Sequence, residues 1–180
     1  MNPSPEEAPC RVFFALWPEE AERTALSAWQ PGLHALCAGR PMRADTLHAT
    51  LAFLGEIEPQ RMEDLILAAQ TIQGSPFDLA LDTACYWGHN RIVYAAPRVV
   101  PEPLLQLVRD LEAALVRHHF HFDKRPYRPH ITLLRHSLWS DVPLPEFKKV
   151  IWRAREFALV QSVPDKNGAH YRVQARFPLR

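Results

Sequence analysis

Leu47-His48-Ala49-Thr50-Leu51 and Pro129-His130-Ile131-Thr132-Leu133 are two copies of one pattern: a histidine, one spacer, a threonine and a leucine inside an apolar run. Residues 46–54 read TLHATLAFL and residues 130–134 read HITLL. Short, β-rich apolar runs bounded by polar or proline-containing segments read as strands. Side chains alternate across a strand, so positions two apart share a face. His48 and Thr50 then point one way, as do His130 and Thr132, while Leu47, Ala49, Leu51, Phe53, Ile131 and Leu133 face a core. The motifs lie 82 positions apart (130 minus 48). A fold that turns them toward each other puts two imidazoles and two hydroxyls in one cleft. Imidazole titrates near neutral pH, so the pair can divide the work of general acid and general base. Hydroxyls can hydrogen-bond a small anion held between them. Together these groups are a kit for opening a phosphodiester.

Around the motifs, the 180 residues suit a single domain, 1–180, with two lobes and room for a core. An apolar fraction of 47% is too high for a disordered chain. A formal net charge of +1 provides no global field toward nucleic acid or a membrane surface. The cysteines, Cys10, Cys37 and Cys85, are odd in number and widely spaced, which suggests neither a disulfide framework nor a zinc ribbon. They read as free thiols in a reducing compartment. The polar, proline-rich start lacks a secretory-signal pattern, and no apolar run approaches the roughly 18 residues of a membrane helix. A cytoplasmic monomer with no membrane association is the expectation.

Residues 1–9 read as a loose tail and 11–17 (RVFFALW) as a strand. Pro18-Glu19-Glu20 opens a helix running to about Trp29, where Pro31-Gly32 interrupts before a second short piece over 33–37. Gly55 is expected to end the first motif strand. Residues 59–72 form a helix, with Met62, Leu65, Ile66 and Ala69 on one stripe. Residues 77–85 alternate as one half-buried strand, and 91–96 as another. Residues 101–118 are the clearest helix, its stripe being Leu104, Leu107, Val108, Leu111 and Leu115. After the second motif come a short helix over 146–152, a strand over 157–162, a turn over 164–168 and a last strand over 171–177. A strand, a helix and a His-x-Thr strand thus follow one another in each half. This predicts a pseudo-twofold α+β protein with mixed or antiparallel sheets.

The stretches RVFFALWP (11–18), LHATLAFLGE (47–56), RPYRPHITLLR (125–135), FALVQS (157–162) and YRVQARFPL (171–179) occur in an order that resembles the 2H phosphoesterase superfamily. Within it, the chain looks like the RNA 2′,3′-cyclic phosphodiesterases, also called 2′-5′ RNA ligases. The resemblance spans almost the whole chain. It implies a bilobal α+β sandwich, with a mainly antiparallel sheet in each lobe and the motifs facing each other across a central cleft. It implies hydrolysis of RNA 2′,3′-cyclic phosphate ends to 2′-phosphates, joining of 2′-5′ RNA linkages by some members, and no metal or cofactor. Carried over by motif position, His48 is the proton donor and His130 the proton acceptor, with Thr50 and Thr132 on the phosphate oxygens. The residues themselves leave the order of acid and base open, because the motifs are near-symmetric. Arg135 also matches a family position, yet strict alternation puts it opposite His130. It reaches the cleft only if the strand end bulges or turns.

Other features carry blander readings. His34, His89, His118, His119, His121, His136 and His170 read as solvated or hydrogen-bonded, and His118-His119-Phe120-His121 lacks the companions of a metal site. Lys124, Arg125, Arg128 and Arg135, with no acid between 124 and 140, are either an RNA-phosphate patch or a solvated loop. Trp87, Phe14 and Tyr127 are candidates to stack a base. No Gly-rich phosphate loop supports ATP-dependent chemistry. Two alternatives keep the same cleft: a non-catalytic module for RNA ends or nucleotides, and a phosphodiesterase for another cyclic nucleotide or a 2′-5′ oligonucleotide.

Overall fold

The computed structural model of the chain describes residues 8–139, 141–165 and 168–180. The aromatic run after the tail becomes strand β1 (Cys10–Leu16), and the acids Glu20 and Glu22 favour the first turn of helix α1 (Glu20–Ser27). Helix α2 (Gln30–Cys37), the two-residue strand β2 (Arg40–Pro41) and the first motif strand β3 (Ala49–Ile57) follow. Helix α3 (Met62–Gln70) leads to β4 (Phe77–Leu81), β5 (Thr83–Trp87) and β6 (Ile92–Ala96). Helix α4 (Glu102–Arg117) precedes the second motif strand β7 (Ile131–Arg135). Strands β8 (Val150–Ala154), β9 (Glu156–Asp165) and β10 (Gly168–Pro178) close the chain.

Two four-stranded sheets carry the architecture, in the orders β10-β9-β1-β3 and β2-β7-β6-β5, and β4 pairs with β8 in a small third sheet. All these pairings are antiparallel, and each motif strand belongs to a different four-stranded sheet. This is a two-lobed α+β fold. One lobe takes its strands from both ends of the described chain and the other from its middle. One face of each sheet packs on a shared core in which Phe14, Leu16, Leu47, Leu65, Leu79, Leu104, Leu111 and Leu133 are all buried. The opposite faces carry smaller apolar clusters, around Phe13, Ala15 and Val160 in one lobe and Ile92, Tyr94 and Ala96 in the other. The expected stripe of α4 is buried throughout: Leu104, Leu107, Val108, Leu111 and Leu115.

Several expectations change for identifiable reasons. The break between the first two helices falls at Ala28-Trp29 and not at Pro31, which sits in the first turn of α2, where a missing N–H costs nothing. Gly55 does not end β3; it adopts φ +75° at an irregularity and the strand continues to Ile57. The single strand expected over 77–85 is two strands in different sheets, broken at Asp82, whose carboxylate accepts a hydrogen bond from the Arg98 N–H at 2.9 Å. The helix expected over 146–152 is absent. Val150, Trp152 and Ala154 alternate inward as β8, because β4 offers an open ladder. The tail falls largely, and the expected turn over 164–168 partly, outside the described residues; Pro164 and Asp165 belong to β9.

Leu111 lies fully buried at the middle of α4's stripe. Leu111→Ala should lower unfolding free energy by about 2–5 kcal/mol in urea denaturation, whereas exposed Val116→Ala should change it by less than about 0.5 kcal/mol.

Candidate active site

Each motif histidine stands one residue before its strand, where the chain is still free of the ladder. There each ring reaches back to its own backbone: His48 Nδ1 lies 2.8 Å from the Thr46 carbonyl oxygen, and His130 Nδ1 lies 2.8 Å from that of Arg128. A carbonyl only accepts, so each Nδ1 carries the proton and donates it. The neutral tautomer is thereby set, and Nε2 is left to give or take a proton. Among the described residues, neither Nε2 and neither the Thr50 nor the Thr132 hydroxyl has a hydrogen-bond partner.

The two motifs meet. His48, Thr50, His130, Thr132 and Arg135 all line one cavity of about 660 Å³. Arg135 reaches it through a bulge. Tyr94 on β6 pairs with Thr132 and Val93 with Leu134, so Leu133 is the extra residue. Leu133 and Leu134 both turn into the core, and the alternation restarts with Arg135 on the cleft side. The same device occurs in β3. Ala15 pairs with Thr50 and Phe14 with Ala52, leaving Leu51 unpaired. Leu51 and Ala52 both pack inward, so Phe53 moves to the cleft face instead of the core expected from strict alternation. Phe53 and Arg135 therefore stand at equivalent places, each five residues after its histidine.

Electrostatics differ between the two rings. His48 is stacked with Phe13 (centroids 4.9 Å apart) and Trp17 (5.3 Å), and Tyr171 meets it edge-on at 5.1 Å. Burial in this box drives its pKa down to about 4, against the upward pull of the Thr46 carbonyl, with the nearby His130 and Arg135 charges pushing further down. His130 meets Trp87 and Tyr94 edge-on at 4.6 and 5.6 Å. Its pKa is also lowered, mainly by burial and then by Arg135, while the Arg128 carbonyl opposes the shift. In the free protein both rings are neutral at pH 7.

The remaining candidates scatter. Arg125 closes onto Asp123, one residue before the expected acid-free segment, with Nε–Oδ2 at 2.7 Å. Arg125 and Arg128 line a second cavity of about 570 Å³ that shares Thr50, Phe53 and His130 with the first, while Lys124 lines neither. Trp87 and Tyr127 also line the second cavity, but Phe14 is fully buried and unavailable to a base. His118 Nδ1 hydrogen-bonds the Asp64 carboxylate at 2.8 Å and so ties α4 to α3. Sequence reasoning missed the aromatic box and Gln30. Phe13 and Trp17 were readable from the alternation of RVFFALW; Tyr171 needed the order β10-β9-β1. The buried Gln30 amide donates to the Met42 carbonyl (2.7 Å) and to that of the bulge residue Leu133 (3.0 Å), and nothing local marks it.

Two antiparallel sheets that each present a histidine and a threonine to one shared cavity match the fold of the two-histidine phosphoesterase class. The chain belongs to the LigT-like phosphoesterase family, whose profile matches it twice, over residues 16–94 and 95–171. The double match agrees with the repeat read from the motifs. The chain is 35% identical to the RNA 2′,3′-cyclic phosphodiesterase of Escherichia coli, over 95% of its own length and 97% of that protein. It is 30% identical to the RNA 2′,3′-cyclic phosphodiesterase of Thermus thermophilus, over 94% and 90%. The crystal structure of E. coli LigT complexed with 3′-AMP superposes with a TM-score of 0.85 at 34% identity, covering 96% of this chain and 99% of that one.

His48 links folding to pH. Unfolded, its ring takes a proton below about 6.5; folded, it does so only near 4. Its contribution to stability is therefore complete above about 6.5 and is lost as pH falls toward 4. Thermal melts should show a smaller drop in Tm between pH 7 and 4.5 for His48→Asn than for the parent.

Proposed function

We propose that this protein hydrolyses RNA 2′,3′-cyclic phosphate ends to 2′-phosphomonoesters by two-histidine acid-base catalysis. One observation carries the reading. Two imidazoles with carbonyl-fixed tautomers and two threonine hydroxyls, unpartnered among the described residues, line one cavity. The sequence likeness to proteins named for this reaction supports it. Among the described residues, no helix is long and apolar enough to cross a membrane; a cytoplasmic location is part of the proposal.

In the proposed reaction, Thr50, Thr132 and Arg135 hold the non-bridging oxygens of the cyclic phosphate. His130 Nε2 takes a proton from water as its oxygen bonds to phosphorus. On the opposite side the bond from phosphorus to the 3′ oxygen breaks, and His48 Nε2 delivers its proton to that oxygen. The product keeps the phosphate on the 2′ oxygen. A phosphate anion between the rings favours imidazolium and offsets the depression that burial imposes. Positioned acid-base groups contribute about 10²–10⁴-fold.

With adenosine 2′,3′-cyclic phosphate in EDTA-containing buffer, purified protein should release adenosine 2′-phosphate. His48→Ala and His130→Ala should each lower kcat by about 10²–10⁴-fold, and Thr50→Ala or Thr132→Ala by about ten- to a hundredfold. Full activity in either histidine variant defeats the assignment. Because both free-protein pKa values are lowered, with His48 at about 4, log kcat/KM should climb only up to about pH 4, level off, and turn down before the ordinary imidazole value of about 6.5. The profile of kcat should lie at higher pH.

A further inference from the structure

One charge arrangement in the cavity is left unused by the two-histidine chemistry. Arg40 on β2 stands directly opposite Arg135 on β7 in the antiparallel register. Both side chains are exposed and both line the first cavity. Like charges directly opposite on an antiparallel pair destabilise it. Among the described residues, neither arginine has an acidic partner. The other arginines of the cavity wall differ. Arg43 is closed onto Asp45 by contacts of 3.0 and 2.9 Å, and Arg11 stands opposite Glu56 with its guanidinium 5.0 Å from the centre of the Phe53 ring.

The backbone is shaped to hold this opposition. Ala38 and Gly39 adopt φ +50° and +87° just before Arg40. A Cβ at Gly39 would lie 2.6 Å from the Arg135 carbonyl oxygen and 2.5 Å from Ser137 Oγ, so only glycine lets β2 approach the end of β7. The Gln30 amide then pins the same edge through Met42 and Leu133.

Two arginines opposite each other on an antiparallel pair and lining one cavity, with no acidic partner among the described residues, call for anions. The phosphate held by Thr50, Thr132 and Arg135 accounts for one. Arg40, one strand further out on the sheet edge, is left for a second. On an RNA strand, the nearest other anion to a 2′,3′-cyclic end is the 5′-phosphate of the same nucleotide, and a guanidinium fork matches a phosphate in two bonds. We propose that Arg40 forms a 5′-phosphate subsite, so that the cleft takes strand ends in preference to cyclic nucleotides with a 5′-hydroxyl. The inference rests on the cyclic-phosphate reading of the same cleft.

Adenosine 2′,3′-cyclic phosphate should be compared with its 5′-phosphorylated form and with the dinucleotide ApA 2′,3′-cyclic phosphate. The parent should prefer the last two in kcat/KM by about tenfold, the scale of one charge-assisted contact. Arg40→Gln should bring that ratio close to one, chiefly through KM, and Arg40→Lys should retain part of it. A parent without preference, a preference kept in Arg40→Gln, or an equal loss on all substrates overturns the subsite. Calorimetry gives an arm independent of turnover. Adenosine 2′,5′-bisphosphate should bind the parent about tenfold tighter than adenosine 2′-phosphate, and Arg40→Gln should erase the difference. Equal binding of the two by the parent overturns the subsite. If the parent turns over none of the cyclic substrates yet shows this binding difference, the hydrolytic reading falls and the subsite stands.

Discussion

The unpaired leucine that directly follows each His-x-Thr, Leu51 in β3 and Leu133 in β7, decides which side chains reach the cleft. A strand with perfect alternation would carry His-x-Thr outward and then aim the fifth position after each histidine into the core. The bulge sends two consecutive residues inward, and alternation restarts shifted by one. Phe53 and Arg135 consequently face the cleft. The two strands use the same device but place different chemistry at its end: an apolar ring in one lobe, a guanidinium in the other. The Leu133 carbonyl accepts from both the Met42 N–H (2.9 Å) and the buried Gln30 amide (3.0 Å), so α2 is tied to the strand that carries the second motif.

The cleft has an electrostatic asymmetry that the motifs do not share. Both rings are anchored through Nδ1 to a carbonyl two residues back, which fixes orientation and tautomer. Their surroundings then diverge. His48 is stacked with Phe13 and Trp17, whereas His130 meets Trp87 and Tyr94 only by their edges. Burial penalises the charged ring in both cases, and it does so to about 4 at His48. Around them, Arg40 and Arg135, without an acidic partner among the described residues, give an anion reason to enter. An arriving phosphate thus changes the protonation preference of the groups that the proposed reaction needs.

Much of this was legible in the chain. Repetition of the His-x-Thr-Leu pattern marked two equivalent strands, and the apolar stripe of residues 104–115 marked α4, because both signals are local periodicities. What escaped depended on distant partners. Residues 150–154 became a strand because β4, some seventy positions earlier, offered a ladder; residues 77–85 became two strands because Asp82 engages the Arg98 amide and the chain changes sheet there. The basic segment read as acid-free is partly neutralised by Asp123, just outside its boundary.

The sequence by itself determined the two motifs, the face each His and Thr shares, the helices with long apolar stripes and the likeness to a family. These follow from neighbours along the chain, where strand and helix periods act. Only the tertiary structure decided that the motifs line one cavity, that Arg135 turns into it, that Arg40 stands opposite Arg135, and that three aromatic rings from both ends of the described chain enclose His48. Register shifts, cross-strand neighbours and burial arise from pairing between segments far apart in the chain, and no local pattern encodes which segments those are.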